Sequence, residues 1–544
     1  SLNYAVLTYA QRYKEDLLFN IFRMGKNSIE RGSKDTWSFS PKKIDAINAA
    51  AQADKTASAN AFGRGGMNVK YFDDVMKNPA NRDPRGYILS ADQPDFTTAI
   101  RFLNALIRTG IQVQKASSSF TVAGKTYPAG SYVVKTDQAF RPHVLDMFEP
   151  QDHPNDFKYE GGPPVAPYDA AGWTLAYLMN VKFDRLLDDF TGPFEKLPLG
   201  ELLKATPKPL PSGSGYVLSA MANESFLAVN ELLKGGAEVL RNTADGSFYV
   251  PASAKAKTIL DKAEHGFGMR ITAGQKPAKS VKVAPSRIAI WDTYGGSMPS
   301  GWIRFIMEQY HFDATVIYPQ DIDKGNLKDK YDVIVFVGGS IPALSANAGG
   351  DGERGGFGTP SLESIPEEFR ARVGRVTQEK SIPQLKAFLE AGGNIVAIGS
   401  ATNIAAHLDL PVSNSLVETV NGKETRLPAT KFYVPGSVLY VSLDKTQPAN
   451  WGLDQSTDVY FNNSPVFNVD KAAIASGKVK PLAWFATATP LRSGWAWGQN
   501  YLKDGVAAFE AGYGKGKVFA FGPEITFRSQ THGTFKWMFN QLYK

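Results

Sequence analysis

Apolar residues fall into three patterns along the chain. Val6, Tyr9, Tyr13, Leu17, Ile21 and Met24 recur at three- and four-residue steps, with Arg12, Lys14, Glu15 and Asp16 between them. That spacing predicts one amphipathic helix ending at Gly25, within a first segment 1–32. Residues 33–85 are polar and weakly periodic, with the glycine-bearing run Ala61-Phe62-Gly63-Arg64-Gly65-Gly66-Met67, and read as an irregular connector. The helix therefore has no obvious local partner; it packs on the next domain or closes one lying upstream.

The second pattern is a repeat. Gly86-Tyr87-Ile88-Leu89-Ser90-Ala91 leads into an amphipathic helix around Phe96 to Ile107 and then Ser131-Tyr132-Val133-Val134. The same order returns in Gly215-Tyr216-Val217-Leu218-Ser219-Ala220, a helix around Phe226 to Leu233, and Ser247-Phe248-Tyr249-Val250. Two copies of a β-α-β-β unit follow, near 86–135 and 215–251, inside a duplicated α/β region spanning 86–275. The copies form one sheet layer or two stacked lobes. Each first strand should be followed by a helix on the same side of its sheet, since right-handed crossovers leave little choice.

The third pattern follows a linker, 276–285. Short β-branched runs at Arg287–Trp291, Ala314–Tyr318, Tyr331–Val337 and Gly393–Ile398 alternate with helices, the first at about Pro299–Tyr310. This predicts an α/β chain whose residues 286–544 form a doubly wound parallel sheet, with site loops at the carboxyl ends of its strands.

Composition narrows the function. With 544 residues the chain holds about three domains. It has no apolar run of 18 residues, so no membrane span is expected. The net charge of +7 is spread over 60 basic and 53 acidic residues without a basic cluster, which argues against nucleic acid as a partner. Zero cysteines removes disulfides and thiolate metal sites and suits cytosol or periplasm alike. The chain begins at Ser1 with no charged-then-apolar signal segment, and reads as a processed product or fragment.

Candidate chemistry gathers in two places. His143, Asp146, Glu149, Asp152 and His153 supply nitrogen and oxygen ligands within a short span. Pro150 and Pro154 break any helix that would align them, so the bland reading is a hydrogen-bonded polar loop and no metal is expected. His265, His311, His407 and His532 are scattered and read as structural. Near the strand ends, Trp291, Tyr294, Trp302, Trp495 and Trp497 are aromatics beside glycines, a pattern of binding clefts and of buried packing alike.

Gly338-Gly339 follows one strand, Gly399-Ser400 another, and Gly522-Pro523-Glu524 the last. In this order the region resembles the class I glutamine amidotransferases. The resemblance places Gly338-Gly339 in the oxyanion loop, Gly399 where the catalytic cysteine belongs, Gly522 where the histidine belongs, and leaves Glu524 with no base to orient. It implies a fold that has lost its chemistry, with empty space where the thiol and imidazole would stand. Ser400 is the one residue able to serve as an alternative nucleophile.

Across nearly the whole chain, Phe140–Asp156, Gly161-Gly162-Pro163-Pro164, Trp291–Trp302 and Phe521–Glu524 resemble the long C-terminal region of large bacterial zinc carboxypeptidases of the carboxypeptidase A type. That resemblance implies a secreted or periplasmic parent whose upstream peptidase domain holds zinc through His-x-x-Glu and a later histidine, residues 1–32 being the helix that closes or leaves it. No histidine here has glutamate three positions later: His143 is followed by Asp146 and His153 by Asp156. The chain thus reads as a noncatalytic accessory, substrate-positioning or scaffolding region, with no cofactor of its own and with the peptidase domain and peptide substrate as partners. Alternatives are an independent hydrolase using Ser400 or a metal at His143 and His153, and a structural assembly module with Gly349–Gly358 as a lid.

Overall fold

The computed structural model describes residues 2–53, 69–204, 209–262, 269–344 and 362–544. The segments Ala61–Met67 and Gly349–Gly358, and His265, lie outside the described residues. Two compact units emerge: Ser1–Pro154 with Val181–Lys204, and Asn155–Asn180 with Ala205–Lys544. Residues 86–275, one region by sequence, are divided between them.

The first unit opens with α1 (Leu2–Arg12) and α2 (Lys14–Gly32). The helix expected to stop at Gly25 continues to Gly32. Gly25 is a contact rather than a stop, because a Cβ there would stand 3.4 Å from Ala139 Cβ, and at Gly32 a Cβ would collide with the Thr136 carbonyl. The connector is also more regular than its polarity suggests. Residues Pro41–Ala53 form α3, and Ile47, Tyr71 and Met76 close a small core beside Trp37. Ile47, Ala50 and Ala51 sit at helical spacing, but the alanines make their stripe faint in the sequence.

The unit's sheet contains β1 (Gly86–Leu89), β2 (Gln114–Ala116), β3 (Tyr132–Lys135), β4 (Asp184–Leu186) and β5 (Phe194–Lys196), in the order β4-β1-β3-β2-β5. Between β1 and β2 runs α4 (Phe96–Arg108), whose first turn is capped by Asp95 accepting the Thr98 N–H at 3.1 Å. After β3 comes α5 (Arg141–Phe148), with Pro142 in its first turn.

In the second unit, β6 (Gly215–Leu218), α6 (Glu224–Lys234), β7 (Leu240–Asn242), β8 (Phe248–Pro251), β9 (Ile271–Ala273) and β10 (Ser280–Lys282) repeat the plan, with sheet order β9-β6-β8-β7-β10. The register repeats as well: Gly86 pairs with Lys135 and Leu89 with Tyr132, while Gly215 pairs with Pro251 and Leu218 with Phe248. The copies form two separate sheets, not one layer. In both, the first and third strands pair antiparallel, so the crossover rule applies only to the β1-α4-β2 and β6-α6-β7 connections. The expected linker 276–285 is not a free tether, because β10 inside it pairs with β7.

Five parallel strands follow: β11 (Ile288–Trp291), β12 (Ala314–Ile317), β13 (Val333–Phe336), β14 (Asn394–Ile398) and, last in the chain, β19 (Gly516–Phe521), ordered β12-β11-β13-β14-β19. Every residue of β11 and β13 is buried, as expected of strands covered on both faces. Helices α7 (Met298–Gln309) and α8 (Ser381–Glu390) belong to the connections, α7 capped by Ser297. The same sheet then turns antiparallel through β15 (Ser437–Leu443), β16 (Ser456–Phe461), β17 (Val479–Trp484) and β18 (Val506–Tyr513), in the order β19-β18-β17-β15-β16. The result is a mixed α/β molecule with a large parallel and antiparallel sheet. No described helix is long and apolar enough to cross a membrane.

Candidate functional site

Strands β13, β14 and β19 are neighbours, with Phe336 opposite Ala397 and Ile398 opposite Phe521. The residues after them therefore meet at one end of the sheet. Leaving β13, the chain passes through Gly338 and Gly339, the latter at φ +81°. Leaving β14, it turns at Gly399, φ +60°, where glycine is favoured because a Cβ makes left-handed backbone costly. The turn is tied by Thr402 Oγ1, which donates to the Gly399 carbonyl at 2.7 Å. Leaving β19, Gly522 N–H donates to Ala507 O at 2.9 Å and Glu524 N–H to Tyr460 O at 3.0 Å, which fixes where the Glu524 side chain starts.

That side chain defines the centre. A Cβ at Gly399 would collide with Glu524 Oε1. A Cβ at Gly338 would stand 3.6 Å from Glu524 Oε1 and 3.7 Å from Ser400 Oγ, so both polar atoms face the same small space. Glu524 Oε2 is buried with no hydrogen-bond partner among the described residues, and burial pushes the carboxyl up to about 7. Ser400 Oγ accepts the Gly339 N–H at 2.8 Å. The arrangement sets a carboxyl raised by burial and a hydroxyl held by a backbone amide around one small space.

The expectation of empty space at the two vacant positions is not met. The Glu524 carboxylate occupies the volume beside Gly399, and a Cβ at Gly522 would run into the Pro465 carbonyl. Interiors are close-packed, so the room that a missing side chain leaves is taken up by its neighbours.

The five aromatics do not converge. Trp291 ends β11 inside the core, its Nε1 buried without a hydrogen-bond partner among the described residues. Tyr294 lies half-buried in the loop that follows. Trp302 packs edge-on against Phe527 at 5.2 Å, and Phe527 stacks on Tyr460 at 3.7 Å. Trp495 and Trp497 meet elsewhere, both against Phe157, with Trp495 Nε1 donating to Asn155 Oδ1 at 2.9 Å and Trp497 Nε1 to Thr430 O at 2.8 Å.

In the first unit the five candidate ligands are each engaged separately. His143 Nε2 bonds Thr109 Oγ1 at 2.9 Å, and Asp146 is raised by burial, with His143 opposing. Glu149 takes both Arg185 Nε (2.9 and 3.0 Å) and the Tyr87 hydroxyl (2.9 Å). Asp152 pairs with Lys42 at 3.0 Å, and His153 Nδ1 bonds Pro154 O at 2.8 Å. Among the described residues no three His, Asp or Glu side chains converge as metal ligands. His311 pairs with Glu231 at 2.5 Å, His407 with Pro342 O at 2.8 Å and His532 with Gln530 O at 3.0 Å.

Sequence reasoning did not find the cavity beside Ser400, of about 240 Å³, which is lined by residues following β14 and β16. Of its polar residues, Asn414 ends a three-residue strand paired with Phe467, and Asn463 and Ser464 lie at a bend that looks like an ordinary turn.

No protein-family model and no curated protein matches the chain. Among solved structures, a β-galactosidase from Bacillus circulans sp. alkalophilus aligns with 46% of this chain and 30% of its own, at 10% identity and a TM-score of 0.25. The chain thus spans under a third of that enzyme. A ThuA-like protein from Bacteroides uniformis aligns over 48% of this chain and 95% of its own, at 13% identity and a TM-score of 0.25. A glutamine amidotransferase from Thermotoga maritima aligns over 44% and 76%, at 10% identity and a TM-score of 0.24. Likenesses at these scores assign neither fold nor activity to the chain.

Proposed function

We propose that residues 286–544 are a doubly wound, flavodoxin-like domain of the class I glutamine amidotransferase kind that has lost acyl transfer. On this reading the chain is a noncatalytic accessory, substrate-positioning or scaffolding region of a zinc metallocarboxypeptidase-like protein. Peptide hydrolysis and zinc belong to a peptidase domain of that protein, which with peptide substrate is the partner, and the protein is secreted or periplasmic. The parallel strand order, second-first-third-fourth-fifth in chain sequence, is the flavodoxin-like order and supports the domain reading. The parentage rests on the sequence resemblance.

One observation carries the loss of chemistry: a Cβ at Gly399 would collide with Glu524 Oε1, so a nucleophilic side chain there would have to displace the carboxylate. An imidazole at 522 is likewise excluded by the Pro465 carbonyl. The test is to incubate the chain with a peptide ending in phenylalanine, with and without added zinc. No amino acid should be released, and no zinc should survive dialysis at stoichiometric level. Zinc-dependent release that disappears when His143 and His153 are both changed to alanine would contradict the reading.

A hydrolase using Ser400 is favoured by one observation, the carboxyl of Glu524 poised near 7, where a general base works well at neutral pH. Against it, the Gly339 N–H that an oxyanion would need is spent on Ser400 itself.

A further inference from the structure

We infer that the cavity beside Ser400 binds a small organic acid, one carboxylate on an apolar body of about amino-acid size. This rests on the reading of residues 286–544 as a binding rather than a catalytic domain, and names what it would hold. The walls of the 240 Å³ space divide by chemistry: Leu416, Val466 and Phe467 are apolar, while Ser400, Asn414, Asn463 and Ser464 are polar.

Of the polar lining residues, Thr402 Oγ1 donates to Gly399 O (2.7 Å) and Asn403 Nδ2 to Ile341 O (3.2 Å), whereas four others have an oxygen occupied and their hydrogens unspent among the described residues. Ser400 Oγ accepts from Gly339 N–H (2.8 Å), Ser464 Oγ from Asn462 N–H (3.1 Å), Asn414 Oδ1 from Leu416 N–H (3.0 Å) and Asn463 Oδ1 from Val434 N–H (3.0 Å). Those bonds orient each group so that two hydroxyl hydrogens and two amide NH₂ groups remain without an acceptor among the described residues. Asn463 is held at φ +44°, a left-handed turn that asparagine tolerates better than most residues, so its amide is placed by the backbone.

No aspartate or glutamate lines the cavity, and Arg426 is the one charged residue that does, among those described. A wall of donors with a cation and no carboxylate favours an acceptor-rich anion, and bonds to an ionised acceptor are about twice as strong as neutral ones. The facing apolar wall selects against bare inorganic anions. Pockets that hold drug-sized ligands run upwards of about 300 Å³, so the occupant of this one is smaller than those.

Titration calorimetry of the full chain with N-acetyl-L-leucine and N-acetyl-L-leucinamide tests this, since the two differ only in replacing the carboxylate by a neutral amide. The acid should bind with a Kd on the order of 1 mM or tighter and at least tenfold more tightly than the amide. Arg426→Gln should weaken the acid about tenfold and leave the amide unchanged. Asn414→Ala, at an exposed position, should weaken the acid severalfold, with the melting temperature of the variant checking that the fold survives loss of the bond to Leu416 N–H. Equal affinity for acid and amide, no acid binding up to roughly 10 mM, or unchanged acid affinity in both variants overturns the inference. Hydrolysis of the amide by the chain would instead overturn the noncatalytic reading, whatever the binding result.

Discussion

Burying the Glu524 carboxyl, whose Oε2 has no partner among the described residues, makes its ionisation a cost to the fold. The folded group is raised to about 7 from an ordinary 4.5, so the folded state holds its proton more tightly than the unfolded state. Below about pH 4.5 both states are protonated and nothing is lost. As pH rises through the window from 4.5 to 7 the unfolded state ionises first, and stability falls, by on the order of 3 kcal/mol in full. Glu524→Gln removes the titration. Calorimetric melting should therefore show the variant matching the parent near pH 4 and exceeding it at pH 8, with a flatter pH profile between. A parent profile that rises across that window would show the carboxyl to be paired. The glycines at 399 and 522 were legible in the sequence as residues at the ends of neighbouring strands. What was not legible is that Glu524, placed by the Tyr460 backbone 64 positions earlier in the chain, turns into the space beside Gly399.

At the scale of elements, regularity followed burial. The parallel strands read from β-branched runs lie within a residue or two of those observed, because strands buried on both faces carry their signal in every position. The antiparallel half of the sheet was missed: β15 and β17 mix Ser, Tyr, Lys and Pro into their apolar runs, whose partners are set by distant pairing, not by local pattern. Residues Leu2–Gly32 were legible as helix but not in their surroundings. The apolar positions wrap most of α1 and α2 and stay exposed in this chain, Leu18 at 65% and Phe22 at 63%. Changing both to glutamine should leave the melting temperature of the full chain unchanged, since exposed side chains contribute within about 0.5 kcal/mol, while lowering its binding of a hydrophobic dye. A drop of several degrees in melting temperature would mean that these side chains are packed after all.

For the whole molecule, the duplicated sheet is the clearest case of a sequence pattern surviving into topology. Six matched residues mark the same strand in two five-stranded sheets of one order, and the paired registers agree residue by residue. The boundary between the two units was not legible. Asn155–Asn180 belongs with the second unit although Val181–Lys204 returns to the first, and such a chain crossing leaves no mark in composition. The candidate site depends on the parallel half of the large sheet, whose strand ends bring Gly339, Ser400 and Glu524 together from positions far apart in sequence. The account's central claim is that this convergence no longer performs acyl transfer. It is tested most directly by measuring hydrolysis of glutamine and of a p-nitrophenyl ester by the full chain beside its Ser400→Ala variant. Both proteins should give rates indistinguishable from buffer. A rate in the parent that vanishes in Ser400→Ala would contradict the account and make Ser400 a nucleophile with Glu524 as its base.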